Sequence, residues 1–165
     1  TAIQAAIGYD PAKIFEHVNS ILCEGNESGL FVTCWLGIIT LSTGEMKFAN
    51  AGHNAPLIMQ NGEVKYLTTK PNLMLAGMDG IPYTTYTTSF SKGDRLFVFT
   101  DGVTEATNAQ NDLYGEERLL SVVKGIGQKK PREVLDIIRE DINIFVKDAS
   151  QFDDITMLEM IFNGR

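Results

Sequence analysis

Arg95-Leu96-Phe97-Val98-Phe99-Thr100-Asp101-Gly102 is a strand-length apolar run that ends in an acidic residue and a glycine. The glycine lets the backbone turn and approach a neighbour closely. Gln151-Phe152-Asp153-Asp154-Ile155-Thr156-Met157-Leu158 is its counterpart, an apolar run that its two aspartates open. Two core strands that carry carboxylates to one sheet edge make an oxygen-rich cation site. With no His or Cys close by in sequence, such a site favours Mg²⁺ or Mn²⁺ over zinc. Taken singly, Asp101-Gly102 also reads as an ordinary strand-ending turn, and Asp153-Asp154 as polar residues closing off the preceding helix.

Working outward, Tyr83 to Phe90 reads as a strand, and the turn residues Ser91-Lys92-Gly93-Asp94 form the hairpin into the Arg95 strand. Asn61-Gly62 between Leu57–Gln60 and Glu63–Leu67 predicts a type I′ hairpin, because both turn residues tolerate positive φ. Leu30 to Leu41 is almost continuously apolar and β-branched, predicting a strand buried on both faces. Met46 to Asn50 returns antiparallel to it. On the other side, Thr104 to Asp112 is irregular and polar. A helix is predicted from Gly115 to Lys124, ended by Gly125 and Gly127, and a second starts at Pro131 with Leu135, Ile138, Ile142 and Phe145 on one stripe.

At the N-terminal end, Asp10-Pro11 is a helix start, and Ile14, Phe15, Val18, Ile21 and Leu22 share the face that follows. Thr1 to Ile7 is also helix-forming but carries no start signal of its own. Strands in antiparallel succession with helices near both ends predict an α+β fold of layered sheets rather than alternating βαβ units. A chain of 165 residues without a linker or repeat reads as one domain, 1–165.

The 14 basic residues are scattered among 21 acidic ones, for a net charge of −7, which argues against a nucleic-acid partner. No apolar run reaches membrane-span length and no signal peptide opens the sequence, so a cytoplasmic location without membrane contact is expected. Cys23 and Cys34 lack metal-ligand spacing and read as buried thiols. Near the strand ends, His53 and Asn54 form a polar cluster with Asn50, and Glu105 and Asn108 follow Asp101. Each group is a candidate for contacting substrate or steadying a metal's ligands by hydrogen bonds. Each also reads as ordinary turn or loop surface, and His17 as a solvated residue on its helix's polar side.

The ordered set Phe31-Val32-Thr33, Asn50-Ala51-Gly52-His53-Asn54-Ala55-Pro56, Gly93-Asp94, Thr100-Asp101-Gly102-Val103-Thr104-Glu105-Ala106, Tyr114-Gly115-Glu116-Glu117-Arg118-Leu119 and Asp153-Asp154-Ile155-Thr156 resembles the SpoIIE/RsbU branch of the metal-dependent (PPM, 2C-type) serine/threonine phosphatases. The likeness runs in order over nearly the whole chain. It implies an αββα sandwich of two mainly antiparallel sheets flanked by helices, with two Mn²⁺ or Mg²⁺ ions. It also implies Asp101, Gly102, Asp153 and Asp154 as the metal-binding positions, with Asp101 and Asp153 catalytic. The activity implied is hydrolysis of phosphoserine or phosphothreonine by a metal-activated water, without a covalent enzyme intermediate.

The family's N-terminal Gly-Asp motif, whose Asp bridges both ions, has no match here. The resemblance therefore implies a domain partial at its N-terminus, weakly active or inactive alone. Its implied partners are a phosphorylated anti-anti-sigma protein of STAS type and an upstream sensor domain that moves the Thr1–Ile7 and Asp10–Glu24 helices. An exposed sheet edge would also suit a homodimer. Two other readings stand beside the enzyme: a degenerate phosphatase-like binding module, and a metal-free domain for a small ligand.

Overall fold

The structure, a computed structural model, describes residues 10–147, 149 and 153–164, so the expected helix over Thr1 to Ile7 lies outside the described residues. The chain's contacts divide it into two compact units. The first runs to Ala55 and includes Thr68–Ser91; the second comprises Pro56–Leu67 and Lys92–Asn163.

The first unit holds helix α1 (Pro11–Cys23) and strands β1 (Cys34–Ile39), β2 (Glu45–Ala51) and β5 (Tyr86–Ser89). These strands form one antiparallel sheet in the order β1-β2-β5. Helix α1 starts as its sequence predicts, with Pro11 in the first turn and Asp10 accepting the Ala12 N–H at 3.0 Å. The Thr85 hydroxyl also donates to the Asp10 carboxylate, holding it below the usual carboxylate range and tying the helix start to the chain before β5. Strand β2 alternates: Ala49 and Ala51 face the core made with Ala12, Phe15, Leu75 and Tyr83, while Met46 and Phe48 are buried on the opposite side. Trp35, Phe48 and Tyr86 stack across the three strands at centroid distances of 6.0 and 5.6 Å.

The long apolar run is less buried than its composition predicts. The regular strand covers only Cys34–Ile39, all half-buried, and Leu30, Phe31 and Val32 are exposed. The reason is topological: β1 is a sheet edge, pairing along its length with β2 alone among the described residues. Ile21 and Leu22 likewise depart from the expected core face of α1 and are exposed. Cys23 and Cys34 are free and half-buried rather than buried, while His17 is exposed as expected.

The second unit holds β3 (Leu57–Gln60), β4 (Glu63–Tyr66), β6 (Arg95–Phe99), the short helix α2 (Asp101–Thr104), α3 (Glu116–Ile126), α4 (Pro131–Val146) and β7 (Met157–Ile161). Its four strands pair antiparallel in the order β4-β3-β6-β7. The β3–β4 hairpin forms as predicted, with Asn61 at φ 52° and Gly62 at φ 78°. Helices α3 and α4 cover this sheet, and Leu119, Val123, Val134, Ile138 and Ile142 join Leu57, Phe97 and Phe99 in one core. Glu133 caps α4 by accepting the Lys130 N–H at 2.9 Å.

The structure corrects three boundaries. The 91–94 turn does not make a hairpin, because β5 and β6 belong to different sheets. The last strand begins at Met157, so Asp153 and Asp154 precede the ladder rather than open it. Gly125 continues α3, which ends instead at Ile126, where Gly127 takes φ 68°. Among the described residues no helix is long and apolar enough to cross a membrane.

Candidate functional site

Strands β6 and β7 run antiparallel with Phe99 opposite Met157, so the end of one lies beside the start of the other. One residue further on, the Thr100 N–H donates to the Thr156 carbonyl at 3.1 Å and extends the ladder. The Thr100 hydroxyl adds a double latch: it donates to the Asp154 carbonyl and accepts the Thr156 N–H, each at 3.0 Å. Asp101 and Asp153 therefore emerge on neighbouring segments at one sheet end.

Gly102 completes the approach. A β-carbon there would stand 2.9 Å from the Asp154 carbonyl carbon, and the oxygen would be nearer still. Only a hydrogen at this position lets the Asp101 turn lie flat against the Asp153-Asp154 backbone. The Asp101, Asp153 and Asp154 side chains are all exposed. Asp101 accepts the Gly102 N–H at 3.0 Å, and Asp153 accepts the Asp154 N–H at 2.7 Å, which sets the direction of each carboxylate.

The Glu105 N–H closes α2 by donating to the Asp101 carbonyl at 2.8 Å, and its side chain is exposed. Asn108 organises its own loop: its oxygen accepts the Gln110 and Asp112 N–H groups at 2.9 Å each, and its amide donates to Asp112 at 3.1 Å. A cavity of about 490 Å³ beside this loop is walled by Glu105, Thr107, Asn108, Asn111 and Leu113. His53 and Asn54 belong to the first unit, half-buried, with His53 hydrogen-bonded to Thr33.

In kind, the donor set suits a hard divalent cation, because every candidate donor is an oxygen. In number it is short: the described residues contain no cluster of three or more His, Cys, Asp or Glu side chains able to hold a metal. Thr100 and Thr156 are the residues that sequence reasoning overlooked. A threonine beside a strand end carries no distinctive pattern, and its role emerges only when the strands pair.

The model of the Stage II sporulation protein E (SpoIIE) family matches residues 2–163. The chain is 29% identical to Protein IcfG of Synechocystis sp. over 143 residues, covering 87% of this chain and 22% of that protein. It is 20% identical to Phosphoserine phosphatase RsbU of Bacillus subtilis over 152 residues, covering 92% of this chain and 45% of that protein. The chain thus spans less than half the length of either relative. Among solved structures, it superimposes on the SiaA-PP2C domain of Pseudomonas aeruginosa with a TM-score of 0.82 at 19% identity, covering 97% of this chain and 64% of that one. The PP2C phosphatase domain of SpoIIE from Bacillus subtilis, solved with a fragment of its regulatory domain, gives 0.79 at 22% identity, with 96% and 46% covered. Two antiparallel sheets flanked by helices are the fold of these PP2C domains, and the chain belongs to the SpoIIE family.

Proposed function

We propose that this chain is the phosphatase domain of a metal-dependent protein serine/threonine phosphatase. The observation that carries the reading is the close approach of the Asp101-Gly102 turn to the Asp153-Asp154 backbone. It sets the Asp101 and Asp153 segments side by side at the end of paired strands, which supports reading their exposed carboxylates as ligands of one cation.

Asp101 and Asp153 would hold the metal, with the Gly102 and Asp154 backbone beside them. Bound there, Mn²⁺ or Mg²⁺ supplies Lewis acidity to a phosphoryl group and acidity to an attacking water. The chain's own part is positional. The Thr100 latch fixes the spacing of the two segments, and the hydrogen bonds to Gly102 and Asp154 hold the carboxylates in direction. Glu105, on the turn after Asp101, would orient water or substrate by hydrogen bonds, with Asn108 stiffening the adjoining loop.

RsbU carries the name phosphoserine phosphatase, which supports a phosphorylated serine as substrate here. A STAS-type anti-anti-sigma protein is the partner proposed, and a sensor domain acting through α1 the regulator, within the cytoplasm. The SpoIIE structure that includes part of a regulatory domain supports such an arrangement. A second reading, a phosphatase-like binding module without catalysis, draws on the absence of a three-ligand cluster among the described residues.

Assay of the full-length protein on a phosphoserine peptide, with and without Mn²⁺, separates the two. The enzyme reading expects Mn²⁺-dependent phosphate release that falls at least 100-fold in Asp101→Asn and in Asp153→Asn. Unchanged release in both variants would overturn it.

A further inference from the structure

The first unit contains a cavity of about 270 Å³ where the Asn50–Ala55 turn faces the Thr68–Asn72 segment. Its polar lining comes from Asn50, His53, Thr68, Thr69, Lys70 and Asn72, and it includes no carboxylate. The lining carries a cationic side chain and no anionic one, although the chain's net charge is −7. A cation would find no anionic ligand here, and an apolar ligand would face amides and hydroxyls it cannot satisfy. An oxyanion would meet an ammonium, an imidazole and the Thr68 and Thr69 hydroxyls.

The walls are fixed by the backbone. Asn50 and His53 clamp their turn reciprocally: the Asn50 amide donates to the His53 carbonyl and the His53 N–H to the Asn50 side-chain oxygen, both at 2.8 Å. Gly52, at φ 71°, sits where a β-carbon would be 3.4 Å from the Met74 backbone nitrogen, so the turn lies close against the opposite segment. Across the cavity, the Tyr86 hydroxyl accepts the Lys70 N–H at 3.2 Å.

The ring and ammonium donors are available, whereas the Asn50 and Asn72 amides already donate to the His53 and Pro82 carbonyls. His53 Nδ1 shares a hydrogen bond with the Thr33 hydroxyl at 3.1 Å, and the other ring nitrogen has no partner among the described residues. With Thr33 donating, that nitrogen carries the hydrogen, as it also does in the imidazolium form. Lys70 is exposed and forms no ion pair among the described residues.

We infer that this cavity is a tetrahedral-oxyanion site, taking a phosphate group between Lys70 and His53. It is built from the first unit alone and needs no metal, so it stands apart from the Asp101–Asp153 reading. The group can arrive as free inorganic phosphate or as a phosphorylated serine.

The test is a ¹⁵N NMR titration of the full chain in EDTA, with inorganic phosphate in one arm and a phosphoserine peptide in the other. Saturable shifts of the 50–55 and 68–72 amides in the millimolar range are expected. Binding should weaken at least fivefold in Lys70→Gln and disappear in Thr68→Glu, an exposed position where a carboxylate enters the lining. Asp101→Asn should bind as the unaltered chain does, whatever becomes of the metal reading. A stronger response to the peptide would assign the site to a protein-borne phosphate, and an equal one to the free anion; both support it. Shifts reproduced by chloride at matched ionic strength, or persisting unchanged in Thr68→Glu, would overturn it.

Discussion

Gly102 packs against the carbonyl group of Asp154 more closely than any side chain permits. This contact joins two segments some 50 residues apart in sequence, one following β6 and one preceding β7. Everything proposed for the carboxylates depends on it.

Gly102→Ala therefore forces either the α2 turn or the Asp153-Asp154 segment to move. A loss of about 1–3 kcal/mol is expected, as for overpacking at a tight backbone contact. Urea unfolding measures the loss, and amide shifts at residues 153–156 should accompany it. Gly125→Ala is the control with the opposite sign: that glycine lies inside α3, a β-carbon there meets nothing within 4 Å, and a gain of about 0.5–1 kcal/mol is expected.

Thr100→Val keeps the side chain's shape while removing the hydroxyl that bridges Asp154 and Thr156. The expected loss is about 1–2 kcal/mol, because one bond vanishes while an N–H loses its acceptor. Faster hydrogen exchange at the Thr156 amide would localise the effect, and unchanged exchange there would contradict the latch.

Glu159 on β7 sets an opposite pH dependence from the usual carboxylate. Its side chain is fully shielded and, among the described residues, its ion-pair partner is Arg95, 3.0 Å away but without hydrogen-bond alignment; the other Arg95 nitrogens donate to the Gly127 and Lys129 carbonyls. Burial pushes its pKa up to about 7, and the Arg95 charge opposes this only in part. A raised folded-state pKa means that the folded chain holds the proton longer. The resulting stability is full below pH 4.5 and is lost as pH rises to about 7, by an amount on the order of 3 kcal/mol. Chemical denaturation across pH 4.5–7.5 should show this fall, and Glu159→Gln should flatten it.

Asp141 acts in the other direction. Arg118 binds it through two nitrogens at 2.9 and 3.0 Å and Tyr114 donates at 2.7 Å, while the guanidinium lies 4.9 Å from the Phe145 ring centroid. The Arg118 bonds hold the Asp141 pKa below its ordinary value, so this contribution is present above pH 3.8 and fades on acidification. Tyr114→Phe should cost about 1 kcal/mol, and a double-mutant cycle with Asp141→Asn should show coupling of about 1 kcal/mol. Additive losses would contradict a shared network.

Local chemistry made much of this fold legible. Asn61-Gly62 specifies its turn, Asp10-Pro11 starts its helix, and the Phe97 and Met157 runs are strands in both readings. What stayed hidden is long-range. The Lys92-Gly93 turn looks the same whether it closes a hairpin or passes the chain from one sheet to another, and here it does the latter. Ile21 and Leu22 fit the α1 stripe by spacing, but periodicity does not say where the covered surface ends. At the candidate site the aspartates were readable from Asp-Gly and Asp-Asp beside apolar runs. The Thr100 latch and the Gly102–Asp154 contact exist only across paired strands. The oxyanion lining joins two loops that no sequence pattern connects.

Isothermal titration of the full-length protein with Mn²⁺, alongside its Asp101→Asn and Asp153→Asn variants, measures whether these two aspartates hold a metal. The account predicts saturable binding that each substitution weakens at least tenfold. Equal affinity in all three proteins would contradict it.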